Sequence, residues 1–161
     1  MTGRVIVSRD GIRVERDVEK REQVEALIYG YAELLDAGDL AGVAALFDQA
    51  SYCFGEDVVI SGSEELLSIM QATVILYDGS PRTQHVTGNL ILEFDDDSCL
   101  ARSRYTVLQS VEAGELTVVV AGRYHDRFKR DDGRWHFSER RVFMDLVGDA
   151  SRHSRFELTA G

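Results

Sequence analysis

The sequence predicts an α+β fold in which N-terminal helices pack on one face of an antiparallel sheet. Helical periodicity governs residues 18–37, whereas after Pro81 the chain is almost entirely alternating strand. Four long strand segments follow one another there, and each is joined to the next by a short turn, so they form an antiparallel meander. Helices first and strands last is the arrangement typical of an α+β domain.

Composition bounds the class of protein. The length of 161 residues predicts a single domain. The net charge of −10 argues against nucleic acid or an anionic membrane surface as partner. Small hydrophobic molecules remain possible ligands. We see no signal peptide and no membrane-spanning stretch, so we expect a cytoplasmic protein. Cys53 and Cys99 lack metal or redox spacing, and we expect two free thiols.

The first half of the chain supplies the helices. The apolar pairs around the turn Asp10-Gly11 indicate a short hairpin or a loose arm. Apolar residues at helical spacing then predict a first helix over 18–37, ended by Gly38, and Asp39 caps a second helix over 40–47. Short strands over 51–54 and 58–60 precede a third helix that begins at Ser63 and ends before Asp78.

The second half supplies the sheet. Strands are predicted over 83–94, 98–111, 116–129 and 134–147, with turn residues at each joint. The tail over 150–161 is polar, so we place the core at about 18–147 and both termini outside it. In the first long strand, alternation puts His85, Thr87 and Asn89 on one face, opposite Val86, Leu90, Leu92 and Phe94.

Two residues of this framework are candidates for acid–base chemistry. Asp36 lies in the last turn of the first helix, where the helix dipole disfavours a carboxylate, on the flank of the apolar stripe. It is either a solvated surface residue or a carboxylate at the rim of a cavity. His85 is either a hydrogen-bonded structural residue or a base. The four histidines show no metal-ligand spacing, and no phosphate loop or nucleophile elbow is present.

Other polar residues could complete a site. Alternation sends one of Arg140 and Arg141 to each face of the last strand, and an inward arginine needs an anionic partner or a ligand. Several tyrosines are candidate proton donors or core residues. Tyr52 and Arg140 are candidates to complete a site with Asp36 and His85. The predicted substrate-binding residues are Tyr31, Asn89, Tyr105 and Tyr124.

Several segments together resemble a known family. They are Leu34-Leu35-Asp36-Ala37-Gly38-Asp39, then His85-Val86-Thr87-Gly88-Asn89-Leu90, then the segments 121–128 and 132–137. Over roughly residues 18–147 the chain resembles the SnoaL-like branch of the nuclear transport factor 2-like superfamily. The resemblance implies a cone-shaped α+β barrel, in which a strongly curved sheet wraps around the helices and an apolar pocket opens at the wide end.

Within that superfamily the chain is most similar to the hexachlorocyclohexane dehydrochlorinase and scytalone dehydratase types. Their Asp–His dyad would match Asp36 and His85, the pocket arginine of the dehydrochlorinase would match Arg140, and an active-site tyrosine of the dehydratase would match Tyr52. We find no match for the second histidine of the dehydratase, so identical dehydration chemistry is not implied.

The function expected from the residues and the resemblance is a cofactor-free lyase or isomerase acting on a small hydrophobic or polycyclic substrate, with no bound metal. His85 would take a proton and Asp36 would orient the imidazole. Arg140 or Tyr52, the other two predicted catalytic residues, would stabilise the developing anion or the leaving group. The alternatives are a non-catalytic binding or assembly module, such as a dioxygenase small subunit, and an epoxide hydrolase. The resemblance also implies a homodimer or homotrimer formed through the outer face of the sheet.

Overall fold

Three helices and six strands make up residues 13–161, the part of the chain that the computed structural model describes. Their order is α1 (Arg13–Ala37), α2 (Leu40–Ala45), β1 (Ser51–Phe54), β2 (Val58–Ser61), α3 (Ser63–Thr73), β3 (Thr83–Asp95), β4 (Ser98–Gln109), β5 (Thr117–Asp131) and β6 (Arg134–Val147). The predicted α+β class is confirmed.

The six strands form one curved, unclosed sheet in the order β2-β1-β6-β5-β4-β3. Strands β3 to β6 are the predicted antiparallel meander, and β1 joins it by pairing parallel to β6. Helix α1 packs against β3 and β6, while α2 contacts α3. The helices therefore cover the concave side of the sheet, and the site described below lies between these two layers.

Helix α1 begins at Arg13, five residues before the predicted start. Val14, which we assigned to an N-terminal hairpin or arm, lies in this helix, and the rest of that segment, residues 1–12, falls outside the described residues. The buried side of α1 is the predicted apolar stripe, with Val24, Ile28 and Tyr31 each at most 3% exposed. The second helix is shorter than predicted because the chain turns after Ala45.

A glycine fixes the end of α1. Gly38 has a φ of +79°, and its backbone N–H donates to the carbonyl of Leu35 at 3.0 Å. A Cβ at this position would lie 2.0 Å from the carbonyl oxygen of Gly79, so a side chain has no space. This close approach ties the last turn of α1, which carries Asp36, to the loop that leads into β3.

The predicted faces of β3 are wrong at one point. The register between β3 and β4 shifts between Gly88 and Ile91, and Asn89 has a φ of +51°. This bulge reverses the alternation, so Leu90, Leu92 and Phe94 pack on the core together with the inward-facing His85. Val86, which we placed with those three residues, is 50% exposed on the outer face.

The segment after β6 returns to the helices. The backbone N–H of Ile75 donates to the carbonyl of His153 at 3.1 Å, and that of Arg155 donates to the carbonyl of Thr73 at 2.9 Å. Val74 and Ser154 form an isolated antiparallel bridge between these two bonds. The tail that we placed outside the core is therefore fastened to the end of α3, across the open side of the cavity.

Candidate active site

A cavity of about 490 Å³ lies between the concave side of the sheet and helices α1 and α3. Its wall is largely apolar, which suits a hydrophobic ligand of modest size. Two histidines and four tyrosines interrupt this wall. The apolar part of the lining includes Leu35, Leu66, Met70, Val107, Val120, Val142 and Met144, and the tail contributes Phe156 and Leu158.

Asp36 and His85 meet at this cavity. The ring Nδ1 of His85 lies 2.5 Å from Oδ1 of Asp36, so the two side chains of the predicted dyad are in hydrogen-bond contact. The imidazole is only 5% exposed and the carboxylate 22%. Because Nδ1 is engaged by the carboxylate, Nε2 is the nitrogen that a ligand in the cavity can meet.

The carboxylate of Asp36 is held from three directions. The backbone N–H of His85 donates to Oδ2 at 2.8 Å, and the hydroxyl of Thr83 donates to Oδ1 at 2.8 Å. Burial raises the pKa of Asp36, but the hydrogen bonds from the His85 ring, the His85 backbone and Thr83 outweigh burial and leave this pKa below its ordinary value. Asp36 is therefore ionised at neutral pH and fixes the orientation of the imidazole.

The local sequence explains how these two groups come together. The α1 C-terminus ends at Gly38 against the loop before β3, and the hydroxyl of Ser80 in that loop donates to the backbone carbonyl of Asp36 at 3.3 Å. Strand β3 starts at Thr83, so residues 83 and 85 both point inward by alternation and reach the same carboxylate. The dyad thus depends on one helix end and one strand start.

Four of the predicted site residues are tyrosines that line the cavity: Tyr31, Tyr52, Tyr105 and Tyr124. The hydroxyls of Tyr31 and Tyr52 share a hydrogen bond of 2.8 Å, and that of Tyr105 donates to the carbonyl of Phe143 at 3.1 Å. Burial raises the pKa of all four phenols. They therefore stay protonated at neutral pH and offer donors rather than bases.

Arg140 does point inward, as predicted, but it does not line the cavity. It is fully buried and donates from Nε and Nη2 to the two carboxylate oxygens of Asp126, at 2.9 and 2.8 Å. Its guanidinium lies 4.2 Å from the ring centroid of Tyr31 and 4.1 Å from that of Tyr124. The anionic partner is thus a strand β5 carboxylate, and the predicted direct contact of Arg140 with a leaving group is wrong.

Asn89 is the other misplaced residue. The bulge in β3 turns its side chain to the exposed outer face, so its predicted contact with substrate is wrong. The alternation that we followed from His85 to Asn89 holds only while the strand stays regular. Of the eight predicted site residues, the structure brings six to the cavity: Asp36 at its edge through His85, His85 itself and the four tyrosines.

Sequence reasoning missed His153. This residue belongs to the polar tail, yet it lines the cavity, and its Nδ1 is buried without a hydrogen-bond partner among residues 13–161. Burial, together with the nearby charge of His85, lowers the pKa of His153 to about 4, while Asp36 opposes this shift. No periodicity marks the tail, so only the contacts of residues 73–75 with 153–155 reveal it.

Within residues 13–161 no group of three or more His, Cys, Asp or Glu side chains is arranged to hold a metal ion. None of the helices described there is long and apolar enough to cross a membrane.

Comparisons with known proteins place this geometry in context. Residues 16–141 match the model of a family described as the SnoaL-like domain. The small oxygenase component of the p-cumate 2,3-dioxygenase system of Pseudomonas putida is 28% identical over 146 residues, covering 78% of this chain and 79% of that protein.

Solved structures share the architecture. A protein of unknown function from Mycobacterium tuberculosis superposes with a TM-score of 0.70 at 25% identity, covering 86% of this chain and 79% of that one. A hexachlorocyclohexane dehydrochlorinase of type 3 from Novosphingobium barchaimii superposes with a TM-score of 0.65 at 22% identity, covering 82% and 90%. The second similarity extends to the fold alone.

Proposed function

The chain belongs to the SnoaL-like domain family, and from this premise we propose that it is a cofactor-free acid–base lyase or isomerase acting on a small hydrophobic molecule. The resemblance drawn from the sequence is confirmed at the level of the family and the fold. The reaction is our inference from the cavity and its polar groups.

One observation carries the proposal: a buried imidazole whose Nδ1 is bonded to an ionised carboxylate and whose ring lines an apolar cavity. This arrangement fixes the tautomer with the proton on Nδ1 and leaves the lone pair on Nε2. Such a nitrogen can accept a proton from a carbon acid held in the cavity. The water-poor surroundings strengthen the attraction between Asp36 and the imidazolium that results.

The proposed reaction then proceeds in two steps. Nε2 of His85 takes a proton from a carbon next to an activating group, and the released electron pair forms a new double bond. A leaving group departs with its own electron pair, or the double bond shifts, and His85 returns the proton to the leaving group or to another carbon. Proton transfer of this kind contributes about 10²–10⁴-fold to rate, and positioning in the cavity adds to it.

The test is exchange of a carbon-bound proton with solvent. We expect the protein to incorporate deuterium from D₂O into hydrophobic ketones, starting with 1-tetralone, as followed by proton NMR. His85→Ala should abolish the exchange, while a cooperative unfolding transition in urea shows that the fold survives. Asp36→Asn should slow the exchange strongly, since it removes the negative partner of the imidazolium.

His125→Ala serves as a matched control for these variants. His125 lies on β5 against Phe143 and does not line the cavity, so its loss should leave the exchange rate unchanged. The proposed reaction is wrong if none of the hydrophobic ketones tested shows His85-dependent deuterium exchange. It is also wrong if the His85→Ala variant catalyses this exchange at the wild-type rate.

A second candidate function rests on the relative from Pseudomonas putida. Its 28% identity covers most of both chains, and that protein is a small component of a dioxygenase system. In this alternative the dyad and the cavity are structural, and the chain assembles with a larger polypeptide. If this alternative holds, the tagged chain purified from its native cells should carry a larger partner in stoichiometric amount. The exchange assay should then show no His85-dependent exchange.

A further inference from the structure

His153 lies in the cavity wall, but the proposed mechanism gives it no role. Its imidazole lines the same cavity as His85, and its Nδ1 is buried without a partner among the described residues. Buried polar atoms are nearly always hydrogen-bonded, so the unpartnered Nδ1 marks a ring whose polar atoms the described residues do not satisfy. His85 lines the same cavity, and its charge contributes to lowering the pKa of His153.

The backbone around His153 is fixed. Its carbonyl accepts the N–H of Ile75 at 3.1 Å, and its own N–H donates to the carbonyl of Ala150 at 2.9 Å. One residue earlier, the carbonyl of Arg152 accepts the hydroxyl of Tyr77 at 2.8 Å and the amide of Gln109 at 3.1 Å. The imidazole is thus presented to the cavity from a chain segment that is tied to α3, to β4 and to the loop after α3.

The surroundings decide the protonation state of this ring. It is partly buried in the wall of the cavity that His85 also lines, and the charge of His85 lowers its pKa. Asp36, the anionic group that opposes this effect, is already held by His85 and Thr83. His153 therefore remains a neutral imidazole at physiological pH. A ring that resists protonation so strongly is a poor base, but it still carries one N–H donor.

We propose that His153 is a second catalytic residue, whose neutral ring N–H binds a carbonyl-type oxygen of the substrate beside the carbon that His85 deprotonates. This inference rests on the proposed function and names its substrate class as hydrophobic molecules that carry such an oxygen. Two other polar groups of the cavity wall are already engaged as donors. Tyr105 already donates to Phe143, and the hydroxyl of Thr73 donates to the carbonyl of Ile69 at 2.9 Å.

Formation of the enolate in this proposal requires no reactant besides the substrate and the two histidines. His85 Nε2 accepts the proton from the carbon next to the carbonyl, and the C–H electron pair becomes the carbon–carbon double bond of an enolate. The carbonyl π pair moves onto oxygen, where the N–H of His153 donates a hydrogen bond to the new negative charge. The reverse movement of electrons reforms the carbonyl as a leaving group departs or as a proton returns to carbon. A neutral donor suits this task because two adjacent imidazolium rings would repel each other.

The experiment separates oxygen binding from proton transfer. Dissociation constants of 1-tetralone and of tetralin, the matched hydrocarbon without oxygen, are measured by protein-observed NMR titration. We expect the wild type to bind the ketone more tightly than the hydrocarbon. His153→Leu should weaken ketone binding about fivefold, the effect of one hydrogen bond, and should change hydrocarbon binding less than about twofold. His153→Gln retains an N–H donor and should keep part of the ketone preference.

His125→Leu, an equal change outside the cavity, should alter neither dissociation constant. Equal affinity of the wild type for the two ligands, absence of binding of both, or equal weakening of both in His153→Leu would overturn the inference. Deuterium exchange into 1-tetralone is followed in the same samples. If the ketone preference depends on His153 but exchange does not occur, the proposed reaction fails and the oxygen site stands as a binding site only.

Discussion

At the scale of single residues, two inward carboxylate–cation pairs differ in what surrounds them. Asp36 holds His85 at the edge of a cavity. Asp126 holds Arg140, which is fully buried against Tyr31, Tyr124 and Phe137 and is absent from the cavity lining. The first pair is thus in reach of a ligand, and the second lies behind the tyrosines of the cavity wall.

The Asp36 pair predicts how stability depends on pH. Since the folded-state pKa of Asp36 is lowered, its contribution is present above the ordinary value of 3.8 and is lost as pH falls through the folded-state pKa. Asp36→Asn should therefore destabilise the protein at pH 7 and much less in acid. Urea unfolding at pH 7 and near pH 3 measures this change. Asp57→Asn, at an exposed position, should have no effect at either pH; an equal loss from Asp36→Asn at both would contradict the prediction.

The Arg140 pair predicts a large loss of stability without one partner. Arg140→Met leaves the carboxylate of Asp126 buried and uncompensated, and we expect the free energy of unfolding to fall by about 3–5 kcal/mol. Arg104→Met breaks an ion pair whose arginine is 61% exposed, so it should cost less than about 1 kcal/mol. Urea unfolding of both variants tests this, and similar losses would show that burial of the pair is unimportant.

At the scale of elements, the junction between α1 and the loop before β3 sets the geometry of the dyad. A side chain at residue 38 meets the carbonyl of Gly79, whereas one at Gly55, which also has a positive φ of +57°, meets nothing within 4 Å. Gly55→Ala should therefore cost only the backbone penalty, roughly 1–2 kcal/mol. Gly38→Ala should cost clearly more and should also slow His85-dependent exchange, because α1 must shift.

The comparison of these two alanine variants is made by urea unfolding and by deuterium exchange on the same preparations. The prediction fails if Gly38→Ala is no more destabilising than Gly55→Ala. It also fails if Gly38→Ala lowers stability but leaves exchange at the wild-type rate, since the junction would then hold the fold without positioning the carboxylate.

The elements also show what the sequence could and could not predict. Alternation and turn residues located β3, β4, β5 and β6 to within two residues, because such signals are local. The bulge at Gly88 and Asn89 is set by pairing with β4, so the strand pattern alone gave Asn89 the wrong face. His153 was missed because the tail has no periodicity and gains its place only through residues 73–75. Arg140 was correctly predicted to point inward, but its partner Asp126 was not predicted because it lies on a neighbouring strand.

At the scale of the whole molecule, the convex side of the sheet carries exposed apolar side chains among charged ones. Ile91, Leu100 and Leu146 are 51%, 45% and 70% exposed. We expect this surface to join copies of the chain as a homodimer or homotrimer. Light scattering coupled to size-exclusion chromatography should give two or three times the 18.0 kDa chain mass, and Leu146→Glu should shift it towards the monomer.

Leu158→Glu is a suitable control for this measurement, because Leu158 lines the cavity rather than the convex side. It should leave the native mass unchanged. A wild-type protein that elutes as a monomer at all concentrations would contradict the proposed assembly.

The bulge in β3 has a consequence for the behaviour of the protein at high concentration. Strand β3 is the last strand on its side of an unclosed sheet, and it is 13 residues long. A straight edge strand of that length would expose unpaired backbone N–H and C=O groups to strands of other molecules and so promote aggregation. The kink at Gly88 and Asn89 interrupts this row of groups. We therefore expect the same irregularity that turns Asn89 away from the cavity to disfavour edge-to-edge pairing between molecules.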